Sequence, residues 1–457
     1  MSMGYIASGT YGAVYGSPRL PCIGETYEEI KDLKQISKVF FEKHDFMIEA
    51  EIIQRLQEYL KEEQIENLKR FFILPIDVGL INYSLPVEFY QTDWLGSGPL
   101  IWKDFKLYDR TSGLIGLYQI VQEKGDCSLK QYFEKHFRQT NITETIMCLC
   151  NCMNKFQNLA IGLSTLHKHD FVHMDIKLQN CVIINDSFKF IDNGEIYHIG
   201  DLTEYFDDEK LHLMTNHPRY WVYSPHIIWA RCFSIRNREE VDMKFFCKQL
   251  IRYHKEIRDL VFQLVPLYIY LYEYNIFGLD DDGLSKIYKK LYSLFEHESC
   301  GMYVNEQHLR SLTPDKLVKI FSSNMVLGFD RIIKKQIRNF YKKGENLYGG
   351  NYEFNEKMKR RSLLLKCNDR HGFGIMILNM YLSMLDHIRT ITVVENIRAY
   401  FQKYENIRKK MLNIFDVALL FVVDDGCDFD DKLFEIFSDC VRCCSIPPVL
   451  ETVQTQQ

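Results

Sequence analysis

Phe171-Val-His-Met-Asp-Ile-Lys-Leu-Gln-Asn-Cys-Val-Ile183 is followed a few residues later by Phe188-Lys-Phe-Ile-Asp-Asn-Gly194. Together the two runs put Asp175, Lys177, Asn180 and Asp192 at spacings suited to moving a phosphoryl group off a metal-bound nucleotide. Each residue alone is commonplace, and the order and spacing carry the information. Short apolar stretches flank both polar clusters, so the chain reads as strand, turn, strand, turn. That pattern presents polar side chains at strand ends while the strands bury their apolar residues.

Phosphoryl transfer asks a protein for positioning and for charge to meet the phosphates. Upstream segments offer the remaining parts. Ala7-Ser-Gly-Thr-Tyr-Gly-Ala-Val14 lies between two expected strands, and Gly9 and Gly12 let amide groups approach phosphates with no Cβ in the way. Glycine turns are common, so this loop alone is also a plain hairpin. Lys38 follows on an expected strand, Gln35 to Phe41, and is the candidate cation for the phosphates. Glu49 opens an amphipathic helix, Phe46 to Leu60, with Ile48, Ile52, Ile53, Leu56 and Leu60 along one side. Glu49 is the candidate partner of Lys38, whereas Glu51 projects elsewhere. The bland alternative is a surface lysine and a helix-face charge. Asn180 and Asp192 supply the hard oxygens that magnesium prefers.

Composition narrows the setting. The 457 residues are 46 % hydrophobic and 26 % charged, which allows two or three packed units of an ordinary globular protein. A net charge of −5 gives no global basic field, so no nucleic-acid partner is expected. The 14 cysteines form no clean pair of C-x-x-C knuckles. Cys148, Cys150 and Cys152 alternate, and Cys440, Cys443 and Cys444 cluster; both read as reduced thiols, with a zinc site as the alternative. The N-terminus is too polar and glycine-rich for a signal peptide, and a cytoplasmic location is expected. The most apolar window, Leu260 to Leu279, contains Gln263, Pro266 and Glu273 and reads as a buried helix, so no membrane span is expected.

Further elements follow from periodicity. Tyr5 to Tyr15 reads as strands, residues 64 to 116 as mixed and loop-rich, and Leu117 to Val121 as a buried strand. Ser128 to Phe137 and Asn154 to His167 read as helices. Beyond Pro225 the pattern is mostly helical to about Leu365. Asp280-Asp-Asp-Gly283 lacks the alternating ligands of a calcium loop and reads as a helix cap. Arg331 to Arg361 carries ten Lys or Arg, which is a solvated face or, alternatively, a surface for a partner or phosphate.

The chain resembles the eukaryotic-type protein kinase family. His173-Met-Asp-Ile-Lys-Leu-Gln-Asn180 is similar to its H-R-D-L-K-x-x-N catalytic loop, and Asp192-Asn-Gly194 to its D-F-G metal motif. Ala7 to Val14 resembles the G-x-G-x-x-G-x-V loop, Ser224-Pro-His226 resembles A-P-E, and Leu166-His167 matches a Leu-His before the catalytic loop. Downstream, Asp369-Arg-His-Gly-Phe-Gly-Ile375 resembles the D-x-x-S-F-G-I helix whose Asp braces the catalytic turn. Asp242 is the rival for that role. The resemblance covers roughly residues 4–60, 117–226 and 366–446.

It implies an α+β, two-lobed fold with a small β-rich N-lobe and a larger helical C-lobe. The N-lobe would span 1–121, with an insertion around 64–110. Residues 122–226 would hold the hinge and first part of the C-lobe. Residues 227–365 would be a helical insertion, 366–450 the rest of the C-lobe, and 451–457 a tail. Implied activity is transfer of the γ-phosphoryl group of ATP, with Mg2+, to Ser/Thr hydroxyls of protein substrates. Asp175 would be the catalytic base and Lys177 its helper. Gly9, Thr10, Gly12, Val14, Lys38 and Glu49 would serve the nucleotide. Val121 would be the gatekeeper, and the backbone of Gln122 to Lys124 would meet the adenine. Asn180 and Asp192 would hold metal. The compact start and long insertions are similar in style to kinases of large DNA viruses.

Some positions depart from the family. Met174 replaces an Arg that ordinarily pairs with a phosphorylated activation loop, so activity without loop phosphorylation is expected. Asn193 replaces the Phe of D-F-G, His226 the Glu of A-P-E, and Ala7 the first loop glycine. The alternatives are a pseudokinase whose 227–365 segment recruits a protein partner, and a kinase for a small molecule or lipid.

Overall fold

Strand-forming runs broken by glycine build the first sheet, and four-residue apolar spacing builds the long helices described over 142–168, 354–391 and 405–423. The computed structural model describes residues 4–8, 12–16, 20, 22–30, 34–40, 43–80, 118–137, 141–201, 224, 259–260, 263–264, 267, 354–391, 400–401, 403–423 and 432–442. The chain divides into two units, one of residues 1–132 with 178–198, the other of 133–177 with 199–457. Taken together they are a mixed α and β structure with small antiparallel sheets and many helices.

The first unit begins with strands β1 (Gly4–Ser8) and β2 (Gly12–Gly16), helical turn α1 (Tyr27–Ile30) and strand β3 (Gln35–Phe40). Helices α2 (Lys43–Ala50), α3 (Ile52–Tyr59) and α4 (Glu62–Leu68) follow, then strands β4 (Asp77–Leu80) and β5 (Tyr118–Glu123). The sheet is antiparallel, in the order β1-β2-β3-β5-β4. Phe40, Phe46 and Ile120 form its core against the helices, with Phe46 stacked on Tyr118 at 4.8 Å between ring centroids. The helix expected over Phe46 to Leu60 is thus two segments meeting at Glu51, with Ile52 and Leu56 of α3 buried. The turn α1 was not expected. Its signal is present, since the Thr26 N–H and hydroxyl both donate to the Glu29 carboxylate at 2.7 and 2.8 Å, an N-terminal cap.

A smaller sheet completes this unit: β6 (Cys127–Ser128), β7 (Cys181–Ile184) and β8 (Ser187–Phe190), in that order. The β7–β8 connection is the two-residue turn Asn185-Asp186, with φ of 48° and 65°. Asn and Asp tolerate this left-handed backbone, and such turns match strand twist. Segment 71–73 runs beside β8: Ile73 N–H donates to the Phe190 carbonyl and Phe190 N–H to the Phe71 carbonyl, each at 2.8 Å. Phe72 stacks on Phe190 at 5.3 Å.

Helix α5 (Leu129–His136) leads into the second unit, which is mainly helical. Helix α6 (Ile142–Lys168) is longer than the expected Asn154 to His167, because the Asn141 side chain accepts the Glu144 N–H at 2.9 Å and caps it. Helices α7 (Phe354–Ile391), α8 (Glu405–Val423) and α9 (Lys432–Arg442) pack around Phe373, whose ring meets Phe421, Phe434 and Phe437 edge-on at 5.2–5.6 Å. Gly374 permits this approach, since a Cβ there would lie 2.6 Å from Phe421 Cβ. Helix α7 begins at Phe354, so the end of the expected insertion and the segment after it form one helix.

Most of 227–365, including Asp280 to Gly283 and residues 331–353, lies outside the described residues, as do 81–117 and 443–457. Within the 260–279 window, Leu260, Leu264 and Leu267 are helical and buried. Among the described residues, no helix is long and apolar enough to cross a membrane.

Candidate functional site

Strand β3 places Lys38 opposite Val14 of β2, and directly paired residues of antiparallel strands point to one face. The Lys38 ammonium forms an ion pair with Glu49 and lies 2.6 Å from Oδ1 of Asp192. Lys38 and Glu49 are largely buried, while the Asp192 side chain keeps 39 % of its exposure. Burial pulls the Lys38 pKa down, but the charges of Glu49 and Asp192 and their hydrogen bonds outweigh it, so the net shift is upward and Lys38 stays cationic. Burial pushes the Glu49 carboxyl up; Lys38 opposes this and Asp192 reinforces it. The cluster therefore holds one fixed cation between two carboxylates, and removing the cation leaves them facing each other with no counter-charge from Lys38.

Glu49 sits near the C-terminal end of α2, not at the start of a long helix as expected. Its second oxygen, Oε1, accepts from the Gln122 amide at 3.4 Å. The alternation of β5 thus turns the Gln122 side chain towards Glu49. Ile120, Val121 and Gln122 of this strand are all buried. The Lys124 N–H is bonded to the Lys34 carbonyl at 3.0 Å, so that amide is engaged within the unit and not turned to a ligand.

Asp192 follows β8 and adopts a left-handed backbone, φ 61°. Two side chains absent from the sequence-based site hold its neighbourhood. The buried Asn193 amide donates to the Ile73 carbonyl at 2.7 Å. Arg55 of α3 donates to the Gly194 carbonyl at 2.8 Å. Gly194 also packs against Glu49, with a Cβ built there only 3.4 Å from Glu49 Cβ.

Asn180 ends a 3-10 turn, Leu178–Asn180, immediately before β7. Its carbonyl accepts the Ile191 N–H at 2.9 Å, and Cys181 pairs with Phe190. The β7–β8 hairpin therefore brings Asn180 and Asp192 to one end of the same ladder. Their side chains offer amide and carboxylate oxygen only, a donor set that fits a hard cation such as Mg2+ completed by phosphate and water. Among the described residues, no group of three or more His, Cys, Asp or Glu side chains could hold a metal ion. Cys148, Cys150 and Cys152 lie on α6 and form no disulfide among the described residues.

In the second unit, helix α7 supports the turn that carries Asp175. Asp369, fully buried, accepts the His173 N–H at 2.7 Å and the Met174 N–H at 2.8 Å, and its Oδ2 is 3.0 Å from His167 Nε2. Met174 sits at φ 65°, a backbone that non-glycine residues rarely adopt. One residue back, Asn368 donates to the Met174 carbonyl at 3.3 Å and accepts the Ser224 N–H at 2.9 Å. One turn on, Gly372 has no side chain where a Cβ would fall 2.7 Å from the Ile176 carbonyl oxygen. Positions 368, 369 and 372 thus form one helix face fitted to residues 173–176. On that turn the Lys177 ammonium lies 2.6 Å from Asp175 Oδ2.

The structure thus brings Lys38, Glu49, Gln122 and Asp192 together in the first unit, and Asp175, Lys177 and Asp369 in the second. Gly12 starts β2, whereas Gly9 and Thr10 lie outside the described residues, as do Asp242, Pro225 and His226. Arg55 carried no motif signal, since its partners are backbone carbonyls distant in sequence.

No protein-family model matches the chain, and no curated protein is significantly similar to it. A solved structure described as "ROP18 kinase domain in complex with AMP-PNP and sucrose" is similar over 42 % of this chain, at 14 % identity and a TM-score of 0.29. The match spans about half, 51 %, of that chain and is a coarse likeness to a kinase domain.

Proposed function

We propose that the chain is a protein-kinase-type phosphotransferase with a two-lobed fold, moving the γ-phosphoryl group of ATP to serine or threonine hydroxyls of proteins. The observation that carries this is Lys38 held between Glu49 and Asp192. A lysine kept cationic by one carboxylate on a helix and a second at a strand end is a fixed charge suited to a polyphosphate.

Each residue then has a stated task. Lys38 meets the α- and β-phosphates, with Glu49 fixing its direction. The backbone around Gly9, Thr10 and Gly12 covers the phosphates, and Val14 lies against the base. The main chain of Gln122 to Lys124 meets the adenine through groups other than the Lys124 N–H, which is held by the Lys34 carbonyl. Asn180 and Asp192 are the residues that would hold Mg2+, which when bound neutralises phosphate charge. Asp175 orients the acceptor hydroxyl and takes its proton as the oxygen bonds to the γ-phosphorus. The bond from that phosphorus to the bridging oxygen breaks, and ADP leaves with the electron pair. Lys177, paired to Asp175, offsets charge on the transferred group.

The supporting test is a Mg-ATP transfer assay on a protein and peptide library, with Asp175→Asn as the control. Label transferred by the native chain and lost in the variant supports the reading. Nucleotide binding without transfer to any acceptor would favour a nucleotide-binding scaffold instead.

A further inference from the structure

Helix α3 turns one face towards the residues that follow Asp192. Arg55 Nη2 donates to the Gly194 carbonyl at 2.8 Å and to the Ile48 carbonyl at 2.5 Å. Its guanidinium carbon lies 4.5 Å from the centroid of the Tyr197 ring. One helical turn later, Tyr59 stacks on His198, with ring centroids 3.7 Å apart and planes 12° apart. Residues four apart share a helix face, so Arg55 and Tyr59 hold successive points of one segment.

Ile48 lies near the C-terminal end of α2, where exposed carbonyls concentrate negative charge, so a guanidinium is well placed there. A single Arg nitrogen therefore links α2, α3 and the metal-motif segment. All these contacts are made by residues of the first unit. Among the described residues, no carboxylate pairs with Arg55, so its hydrogen bonds there are spent on carbonyl groups.

We propose that Arg55 is a positioning residue: it clamps residues 194–197 to α2 and α3, and so keeps Asp192 on Lys38 without any covalent modification. The inference rests on Asp192 serving the nucleotide-bound metal. The segment after Asp192 is secured by Arg55 and by the Asn193–Ile73 hydrogen bond. Lysine does not replace Arg55, because its shorter side chain ends in a compact ammonium that cannot both reach the two carbonyls and lay a planar group over the Tyr197 ring.

The test uses the full chain as native protein, Arg55→Ala and Arg55→Lys. Amide hydrogen exchange is followed in residues 193–198, with α6 residues 156–166 as the internal reference. Arg55→Ala and Arg55→Lys are expected to speed exchange of 193–198 at least tenfold and leave α6 unchanged. In transfer assays the KM for Mg-ATP should rise at least tenfold, with the KM for the protein acceptor unchanged. A merely structural residue would instead lower kcat through loss of folded enzyme and leave the KM for Mg-ATP as it is. Unchanged exchange in 193–198, or a fall confined to kcat, overturns the proposal. If the native chain transfers no phosphate, the phosphotransferase reading fails, while the exchange measurement still decides whether Arg55 is the clamp.

Discussion

Asp369 takes the main-chain N–H of Met174 at 2.8 Å while Met174 holds a left-handed backbone of φ 65°. A residue of this type in that region costs of order 1 kcal/mol or more, so something must over-determine it. Asp369 does so by also accepting the His173 N–H, and Asn368 adds a bond to the Met174 carbonyl. The turn is thus fixed by a helix about two hundred residues away in the chain.

Removing that carboxylate has a calculable effect. Asp369→Ala leaves two buried N–H groups without their acceptor, and hydrogen bonds to charged groups contribute about 1.5–3 kcal/mol each. A loss of about 3 kcal/mol or more in unfolding free energy is expected, and about half that for Asp369→Asn, which keeps one acceptor oxygen. Urea denaturation of the two variants checks the order; equal stability to the native chain would refute the brace.

Gly372 gives a prediction of opposite sign to helix propensity. Alanine in a helix interior ordinarily gains about 1 kcal/mol over glycine. Here the added Cβ meets the Ile176 carbonyl oxygen at 2.7 Å and Ile176 Cβ at 2.8 Å. Overpacking of this kind costs about 1–3 kcal/mol. Gly372→Ala should therefore be destabilising, and a raised Tm would contradict the close fit of α7 on residues 173–176.

The Glu49 carboxyl has its pKa raised by burial, with Asp192 adding to the shift and Lys38 opposing it. A folded-state pKa above the unfolded value, about 4.3 for Glu, means the folded chain binds more protons above that pH. The stability from this group is complete below about pH 4.3 and is lost as pH rises through the folded pKa. Compared with Glu49→Gln, the native chain should therefore lose relative stability as pH rises above about 4. Denaturation curves of both proteins at several pH values test this, and a relative gain with rising pH would reverse the assignment.

Lys38 can be tested by removal of its charge alone. Lys38→Met leaves Glu49 and Asp192 without the cation between them and takes away a fixed phosphate-binding charge. Loss of one such preorganised group lowers turnover by about 10²–10³-fold. Single-turnover transfer from Mg-ATP should show a fall of that size, and a variant within threefold of the native rate would remove Lys38 from the site.

The sequence made some of this legible and hid the rest for identifiable reasons. The spacing of Asp175, Lys177, Asn180 and Asp192 is local, so it is readable along one strand-turn-strand run. Lys38 and Glu49 were readable because a strand and an amphipathic helix fix their directions. Asp369 was readable through the resemblance of its segment to a family helix, carried by Phe373-Gly374, and Gly374 records the close approach of α7 to Phe421. Arg55 and Asn193 were not readable, since both bond to backbone carbonyls, which have no residue signature. The first half of α6 was hidden by the alternation of Cys148, Cys150 and Cys152, although Asn141 and Glu144 marked its cap.

The most direct measurement is transfer of labelled phosphate from Mg-ATP to a protein acceptor by the native chain and by Asp175→Asn, with nucleotide binding followed by calorimetry in parallel. The account predicts transfer by the native chain and a fall of about two to four decades in Asp175→Asn, with ATP affinity retained. Unchanged turnover in Asp175→Asn would contradict it.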